Sequence, residues 1–140
     1  MSREDQPPTG SPTIRTIAMP ADTNPSGDIF GGWLMSQMDL AAGSVAALTS
    51  GKRSATVAVD AMIFHRPVKV GDEVSIYATL VRQGRTSMTI HVDTWRRPRA
   101  SPLSEKVTEA NFTFVALDEA GRPVPIAAGD NGQALAAEGL

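Results

Sequence analysis

Residues 20–39 read PADTNPSGDIFGGWLMSQMD, a turn-rich segment that runs directly into an apolar helical pattern. Proline, asparagine, glycine and aspartate dominate its first half, and these residues favour turns. Because helical spacing places a set of apolar side chains on one face, the pattern predicts a helix from Gly31 to Thr49, packed against a sheet and ended by Gly51. The predicted apolar stripe consists of Met35, Met38, Ala41, Ala42, Val45 and Ala46.

The start of this helix and one acidic residue within it together indicate a functional site. Gly31 and Gly32 leave the first backbone N–H groups uncovered by side chains, at the end where the aligned peptide dipoles favour negative charge. An oxygen atom that carries or develops negative charge is stabilised there. Asp39 lies within the apolar stripe, where an unpaired carboxylate is costly to bury. We therefore expect Asp39 to have either a partner or a chemical role.

The rest of the domain is predicted to be strands. They follow one another without intervening helices, which favours an antiparallel sheet and an α+β domain. A loop is predicted over Arg96–Pro102, and a hairpin link at residues 83–85. By their period-two alternation, the predicted strands are Thr13–Met19, Ser54–Phe64, Val74–Leu80, Met88–Val92 and Val107–Leu117.

One helix covers only one face of such a sheet. The uncovered strand faces are predicted to expose Tyr77, Val81 and Trp95. Pairing with a second copy would remove apolar surface of this kind from water. We therefore expect a homo-oligomer.

Composition and charge exclude several classes of protein. The domain is predicted to span residues 13–126, between a disordered leader over 1–12 and a tail over 127–140. No segment resembles a signal peptide or is long enough to cross a bilayer, so we expect a cytoplasmic protein without membrane contact. A net charge of −2 gives no reason to expect a nucleic-acid partner. The chain has no cysteine, which excludes thiol nucleophiles and thiolate metal sites, and we expect neither a metal nor a cofactor.

Basic residues are concentrated in the middle of the chain. Nine basic and four acidic residues lie between Lys52 and Arg99. A phosphate-bearing small molecule would suit this region, although a solvated sheet surface would show the same excess.

Several segments of the chain resemble one known family. They are Met19–Asp39, Val57–Val70 (VAVDAMIFHRPVKV), Gly84–Trp95 (GRTSMTIHVDTW), Asn111–Ala116 and Gly121-Arg122-Pro123. Over about residues 13–126 the chain is similar to the hotdog-fold acyl-CoA thioesterases, specifically the bacterial broad-specificity acyl-CoA hydrolases. The resemblance implies a long central helix wrapped by a curved antiparallel sheet of about five strands. It also implies hydrolysis of fatty acyl-CoA thioesters to the free acid and coenzyme A.

The resemblance assigns roles to particular residues. Asp39 would be the catalytic general base or nucleophile, Asn24 would assist it, and the N–H of Gly31 or Gly32 would polarise the thioester carbonyl. The family divides these groups between the subunits of a dimer and commonly builds trimers of dimers. Helix geometry agrees with sharing, because Asp39 lies about 12 Å along the helix axis from Gly31. The residues that would contact coenzyme A phosphates or pantetheine are Arg85, Thr86 and Ser87.

Other interpretations remain open. The chain could be a non-catalytic acyl-CoA binding or sensing module. A hotdog hydratase or dehydratase would need a histidine near the helix start, and residues 20–50 contain none, while His65 and His91 are predicted on strands away from it. Asn24 before Pro25 could be only a turn former, and the glycine pair could serve only close packing. No Gly-x-Ser-x-Gly pattern supports a serine hydrolase.

Overall fold

The computed structural model describes residues 6–126. The tail predicted over 127–140 and the first five residues of the predicted leader lie outside this range. No helix among the described residues is long and apolar enough to cross a membrane. The elements are β1 (Ile14–Ile17), a short 3-10 helix (Pro20–Asp22), α1 (Gly31–Ser50), β2 (Arg53–Val59), β3 (Glu73–Gln83), β4 (Ser87–Arg97) and β5 (Glu105–Leu117).

The five strands form one antiparallel sheet in the order β1-β3-β4-β5-β2, and α1 packs on one face of it. The core lies between helix and sheet, because alternate residues of β3, β4 and β5 point toward α1. Two strands, β1 and β2, lie at the edges of the sheet. The predicted α+β hotdog architecture is confirmed. The sheet's contribution to the core includes Val74, Ile76, Met88, Ile90, Val92, Ala110, Phe112 and Phe114.

The helix begins at the predicted residue and ends one residue later than predicted, at Ser50, but the face that it buries is slightly different. Gly51 ends it with φ 66°, and its N–H donates to the carbonyl of Ala47 at 2.9 Å. The buried stripe begins at Leu34, which is 2% exposed, whereas Met35 is 42% exposed. The prediction that Met35 faces the sheet is therefore wrong. Met35 lies instead on the same flank of the helix as Asp39, four residues later.

All five strands differ from their predicted bounds by at least one residue, and the ends of β2 and β4 differ most. The second strand ends at Val59 rather than Phe64, because the side chain of Asp60 takes the next ladder position and accepts from the N–H of Asn111 at 2.8 Å. Arg96 and Arg97 belong to β4 rather than to a loop. Arg97 lies opposite Glu73 in the register and forms an ion pair with it at 3.4 Å, so the strand continues through charged residues.

The outer face of the sheet is less apolar than expected. Trp95 is only 3% exposed, so the prediction that it lies on an open strand face is wrong. Tyr77 is half-buried, and Val81 remains 56% exposed as predicted. The larger exposed apolar surface lies instead along β2 and the segment after it.

Candidate active site

The first turn of α1 offers two unoccupied hydrogen-bond donors. Phe30 is the N-cap and supplies no side-chain cap, and the first turn contains no acidic residue. Within the described part of the chain, no acceptor binds the N–H of Gly31 or of Gly32, whereas the N–H of Trp33 donates to the carbonyl of Phe30. Because the positive end of the helix dipole lies here, the two free amides form a site for an electron-rich oxygen.

Packing alone does not require glycine at Gly31. A Cβ built there would meet the ring of Phe64 at 3.5 Å, an ordinary van der Waals contact. At Gly32 a Cβ would lie 3.2 Å from the ring of Phe30, which is 41% exposed and can move. Packing of the helix on the sheet therefore does not require either glycine, and the absence of a Cβ at both positions leaves their backbone amides uncovered by side chains.

Asn24 organises the loop before the helix. Its Oδ1 accepts from the N–H of Ser26 at 2.9 Å and from the N–H of Asp28 at 3.1 Å. The predicted turn-forming role is therefore present. Both bonds use the side-chain oxygen, and no described acceptor binds the amide NH₂ group. That group is available to donate to a ligand, but Asn24 has no oxygen left to act as an acceptor in the site.

A cavity of about 370 Å³ opens beside these groups. Asn24, Gly31 and Leu34 line one side of it, and Phe64 and His65 line the other. The cavity therefore brings together the loop before the helix, the helix start and the segment that follows β2.

The prediction that His65 lies on a strand away from the helix start is wrong. The segment after β2 turns back toward α1, where the N–H of Ile29 donates to the carbonyl of Val68 at 3.1 Å and Lys69 forms an ion pair with Asp28. These long-range contacts hold the segment after β2 against the helix start and so place His65 at the wall of the cavity. No local pattern in the sequence signals this return, so the lack of a histidine in residues 20–50 does not exclude one from the site.

Asp39 lies outside that cavity, half-buried at the flank of the apolar stripe. Its Oδ1 accepts a hydrogen bond from the hydroxyl of Thr56 on β2 at 2.5 Å, and no described donor binds its Oδ2. Thr56 stands at a β-bulge, where Val57 is the extra residue. One carboxylate oxygen is thus held in place and the other is left free to receive a proton or to attack. No pattern in the amino-acid sequence pointed to Thr56 as a partner of Asp39.

The candidate residues fall into three separate places within one chain. Asn24 and Gly31 share the cavity, and Asp39 lies about 12 Å further along α1. The hairpin that carries Arg85, Thr86 and Ser87 lies near the far end of α1, close to the β2–β5 pairing, about 30 Å from the helix start for a 20-residue helix. A single chain does not unite them.

Comparison with known proteins identifies the family. The family model described as "Thioesterase superfamily" matches residues 26–102. The acyl-CoA thioester hydrolase YciA of Salmonella typhimurium is 48% identical over 129 residues, covering 90% of this chain and 97% of that protein. An uncharacterized acyl-CoA thioester hydrolase of Zymomonas mobilis is 55% identical over 119 residues, covering 85% of this chain and 80% of its own length.

Solved structures agree with the sequence comparison. The hexameric thioesterase y2039 from Yersinia pestis superimposes with a TM-score of 0.82 at 47% identity, covering 87% of this chain and 99% of that one. HI0827, a hexameric broad-specificity acyl-coenzyme A thioesterase, gives a TM-score of 0.84 at 43% identity, covering 96% and 93%.

The chain belongs to the thioesterase superfamily, and it is a thioester hydrolase of the acyl-CoA thioester hydrolase type. The family and the activity predicted from residues 19–39 and the later strands are confirmed. The hydratase alternative is set aside by these relatives, and not by the position of the histidines.

Proposed function

We propose that this protein hydrolyses acyl-CoA thioesters at a site shared by two copies of the chain. One observation supports this proposal: the groups needed for hydrolysis lie in two separate places on the helix of one chain. The free amides of Gly31 and Gly32 and the donor of Asn24 lie at one end of the helix, and the free oxygen of Asp39 lies two turns further along on its flank. A second copy, packed against that flank, would supply the missing half to each site.

The chemistry follows from these groups. The thioester oxygen accepts from the N–H of Gly31 or Gly32, which stabilises the negative charge that develops as the carbonyl carbon is attacked. Asp39 of the other copy removes a proton from the attacking water, or attacks directly to form an anhydride that water then opens. The C–S bond breaks, and the thiolate of coenzyme A leaves with a proton taken up from solvent. Thiolates are weak bases, so departure does not depend on a strong acid in the site.

Asn24 and Thr56 orient the two reacting partners. Asn24 lines the cavity beside the helix start, and its NH₂ group, which binds no described acceptor, would donate to the substrate carbonyl or to the attacking water. The hydroxyl of Thr56 holds one oxygen of Asp39 and so directs the other. A carboxylate fixed in this way is a better positioned base than one that rotates freely.

The edge strand β2 supports the pairing of copies. One side of β2 pairs with β5, and its other side has no partner strand among the described residues. Val57, Val59 and Ile63 are 57%, 38% and 65% exposed on β2 and the segment after it. An open apolar edge favours addition of another strand, and a two-fold axis would pair β2 with β2. Because Asp39 accepts a hydrogen bond from Thr56 of β2, this two-fold axis would place Asp39 at the interface between the two copies.

The proposed dimer would be the building unit of a larger assembly. A trimer of such dimers would match the hexameric state named for the structural neighbours.

Arg85 is exposed and forms no ion pair with the described residues, so it is available to a phosphate. Since its hairpin lies far from the helix start of its own chain, Arg85, Thr86 and Ser87 would contact the coenzyme A bound to another copy.

The activity itself is tested with a panel of acyl-CoA substrates of increasing chain length and a thiol reagent. We expect steady release of free coenzyme A from the purified protein. Binding of every thioester without release of thiol would instead favour the non-catalytic binding module.

Replacing Asn24 with Asp separates the turn-forming role of this residue from its catalytic role. Aspartate keeps the oxygen that accepts from Ser26 and Asp28, but it removes the NH₂ donor. We expect the melting temperature to stay near that of the wild type, while kcat falls by roughly 10²-fold, as for loss of a donor to a developing oxyanion. Wild-type kcat in the Asn24→Asp variant would show that this side chain only forms the turn.

A further inference from the structure

A cluster of metal-ligating side chains lies on the sheet face turned away from α1, apart from the site described above. His91 and Asp93 stand two residues apart on β4, between core residues that point toward the helix. In the register of β4 and β5, Glu109 lies directly opposite Asp93, and Asn111 lies opposite His91. One ligand atom from each of His91, Asp93 and Glu109 falls within 4.8 Å of the others.

The imidazole of His91 is oriented by a second residue. Its Nδ1 lies 2.9 Å from Oδ1 of Asn111, and since an amide oxygen only accepts, Nδ1 carries the hydrogen. In the neutral ring the lone pair is then on Nε2, which lies 3.4 Å from Oε2 of Glu109. The same Oε2 accepts a hydrogen bond from the ammonium of Lys106, and a proton or a cation between Nε2 and Oε2 would relieve the facing of two acceptors. A histidine held through its other nitrogen in this way is the usual arrangement at metal sites.

The cluster has more acceptors than donors. The side chain of Asp93 is only 15% exposed, and its Oδ1 is buried without a hydrogen-bond partner. Among residues 6–126, Lys106 supplies the one ammonium that pairs with these carboxylates; it bonds to Glu109, and its Nζ lies 3.9 Å from Asp93 Oδ1. Lys106 is therefore shared by two carboxylates. It donates a hydrogen bond to Glu109 and leaves the buried Oδ1 of Asp93 without a hydrogen-bond partner.

We propose that His91, Asp93 and Glu109 form a binding site for a divalent transition metal, with Zn²⁺ as the best match. Tetrahedral Zn²⁺ with bonds of about 2.0–2.2 Å separates its ligand atoms by about 3.4 Å, which is the separation of His91 Nε2 and Glu109 Oε2. Two carboxylates balance the charge of the ion, and a water completes the tetrahedron. Mg²⁺ and Ca²⁺ fit less well, because they prefer oxygen ligands throughout.

Lys106 competes with the metal for the same carboxylates. Its long side chain is 24% exposed and can move into solvent when the ion enters. Metal binding would then join β4 to β5 and stabilise the folded state by mass action. A metal at this cluster would run against the expectation of no metal, which followed from the lack of cysteine and so from the exclusion of thiolate sites alone.

The test is titration calorimetry of the full-length, untagged protein with Zn²⁺ in a non-chelating buffer. We expect saturable binding, a higher melting temperature with Zn²⁺, and with Co²⁺ the intense visible bands of a tetrahedral ion. His91→Gln and Glu109→Gln should each weaken Zn²⁺ binding by at least about tenfold. Replacing even a residue that only hydrogen-bonds to a metal ligand lowers metal affinity by about 10–100-fold. Lys106→Met should tighten binding by removing the competitor.

His65→Gln is the matched control, because it removes the other of the two histidines of the chain. It should leave Zn²⁺ affinity unchanged. The proposal is overturned if the wild type shows no saturable binding below millimolar Zn²⁺. It is equally overturned if His91→Gln and Glu109→Gln bind as well as the wild type, or if Lys106→Met binds more weakly.

Discussion

Replacing Asp39 with Asn is expected to lower kcat by roughly 10²–10⁴-fold, the usual contribution of a positioned general base. Asparagine has nearly the same shape, and its amide oxygen can still accept the hydrogen bond from Thr56. What it loses is the ability to take a proton or to attack as a carboxylate. The release of coenzyme A under saturating acyl-CoA measures this directly.

Two further measurements make the Asp39→Asn result specific. Affinity for an unreactive thioether analogue of the substrate should stay close to that of the wild type, since the amides and Asn24 are untouched. Glu119→Gln is the matched control, because Glu119 is an exposed carboxylate in the turn after β5, near the far end of the helix. It should turn over substrate normally. Unchanged kcat in Asp39→Asn would exclude both a base and a nucleophile at this position.

Local signals predicted most of the fold. Gly51 ends α1 because glycine adopts the left-handed conformation without strain, and its φ of 66° is in that region. Alternation of apolar residues predicted β3, β4 and β5, since one face of each strand packs under the helix. The bare amides at Gly31 and Gly32 could also be anticipated, because they depend only on residue type and position at a helix start.

Features that depend on distant contacts could not be predicted in the same way. The end of β2 is set by a side-chain bond from Asp60 to a residue of β5, and the burial of Leu34 rather than Met35 is set by how the helix lies on the sheet. His65 reaches the cavity only because the segment after β2 is tied back to the helix start. Thr56 lies beside Asp39 because of the bulge in β2. None of these contacts leaves a periodic signal in the chain.

A shared site makes a second large effect possible, the recovery of activity from two inactive variants. Asp39→Asn keeps an intact helix start, and Asn24→Asp keeps an intact carboxylate at Asp39. In a mixed dimer, one site combines the good half of each chain, and the other site combines the two defective halves. With random exchange half of the dimers are mixed, so the mixture should recover about a quarter of the wild-type activity.

The reverse mixture provides the control. Wild-type protein is exchanged with the double variant Asn24→Asp/Asp39→Asn. If sites are shared, every site of a mixed dimer has one defective half, so only the wild-type homodimers are active. The mixture then keeps about a quarter of the activity shown by the same total concentration of wild-type protein. If each chain has its own complete site, about half remains. Native mass spectrometry verifies in both experiments that mixed dimers have formed.

The rate of coenzyme A release after mixing Asp39→Asn with Asn24→Asp is therefore the decisive measurement. The shared site predicts that activity rises from the low level of each variant to about a quarter of the wild-type rate as mixed dimers form. Activity that stays at the average of the two separate variants, with mixed dimers present, would contradict the division of the site between two copies.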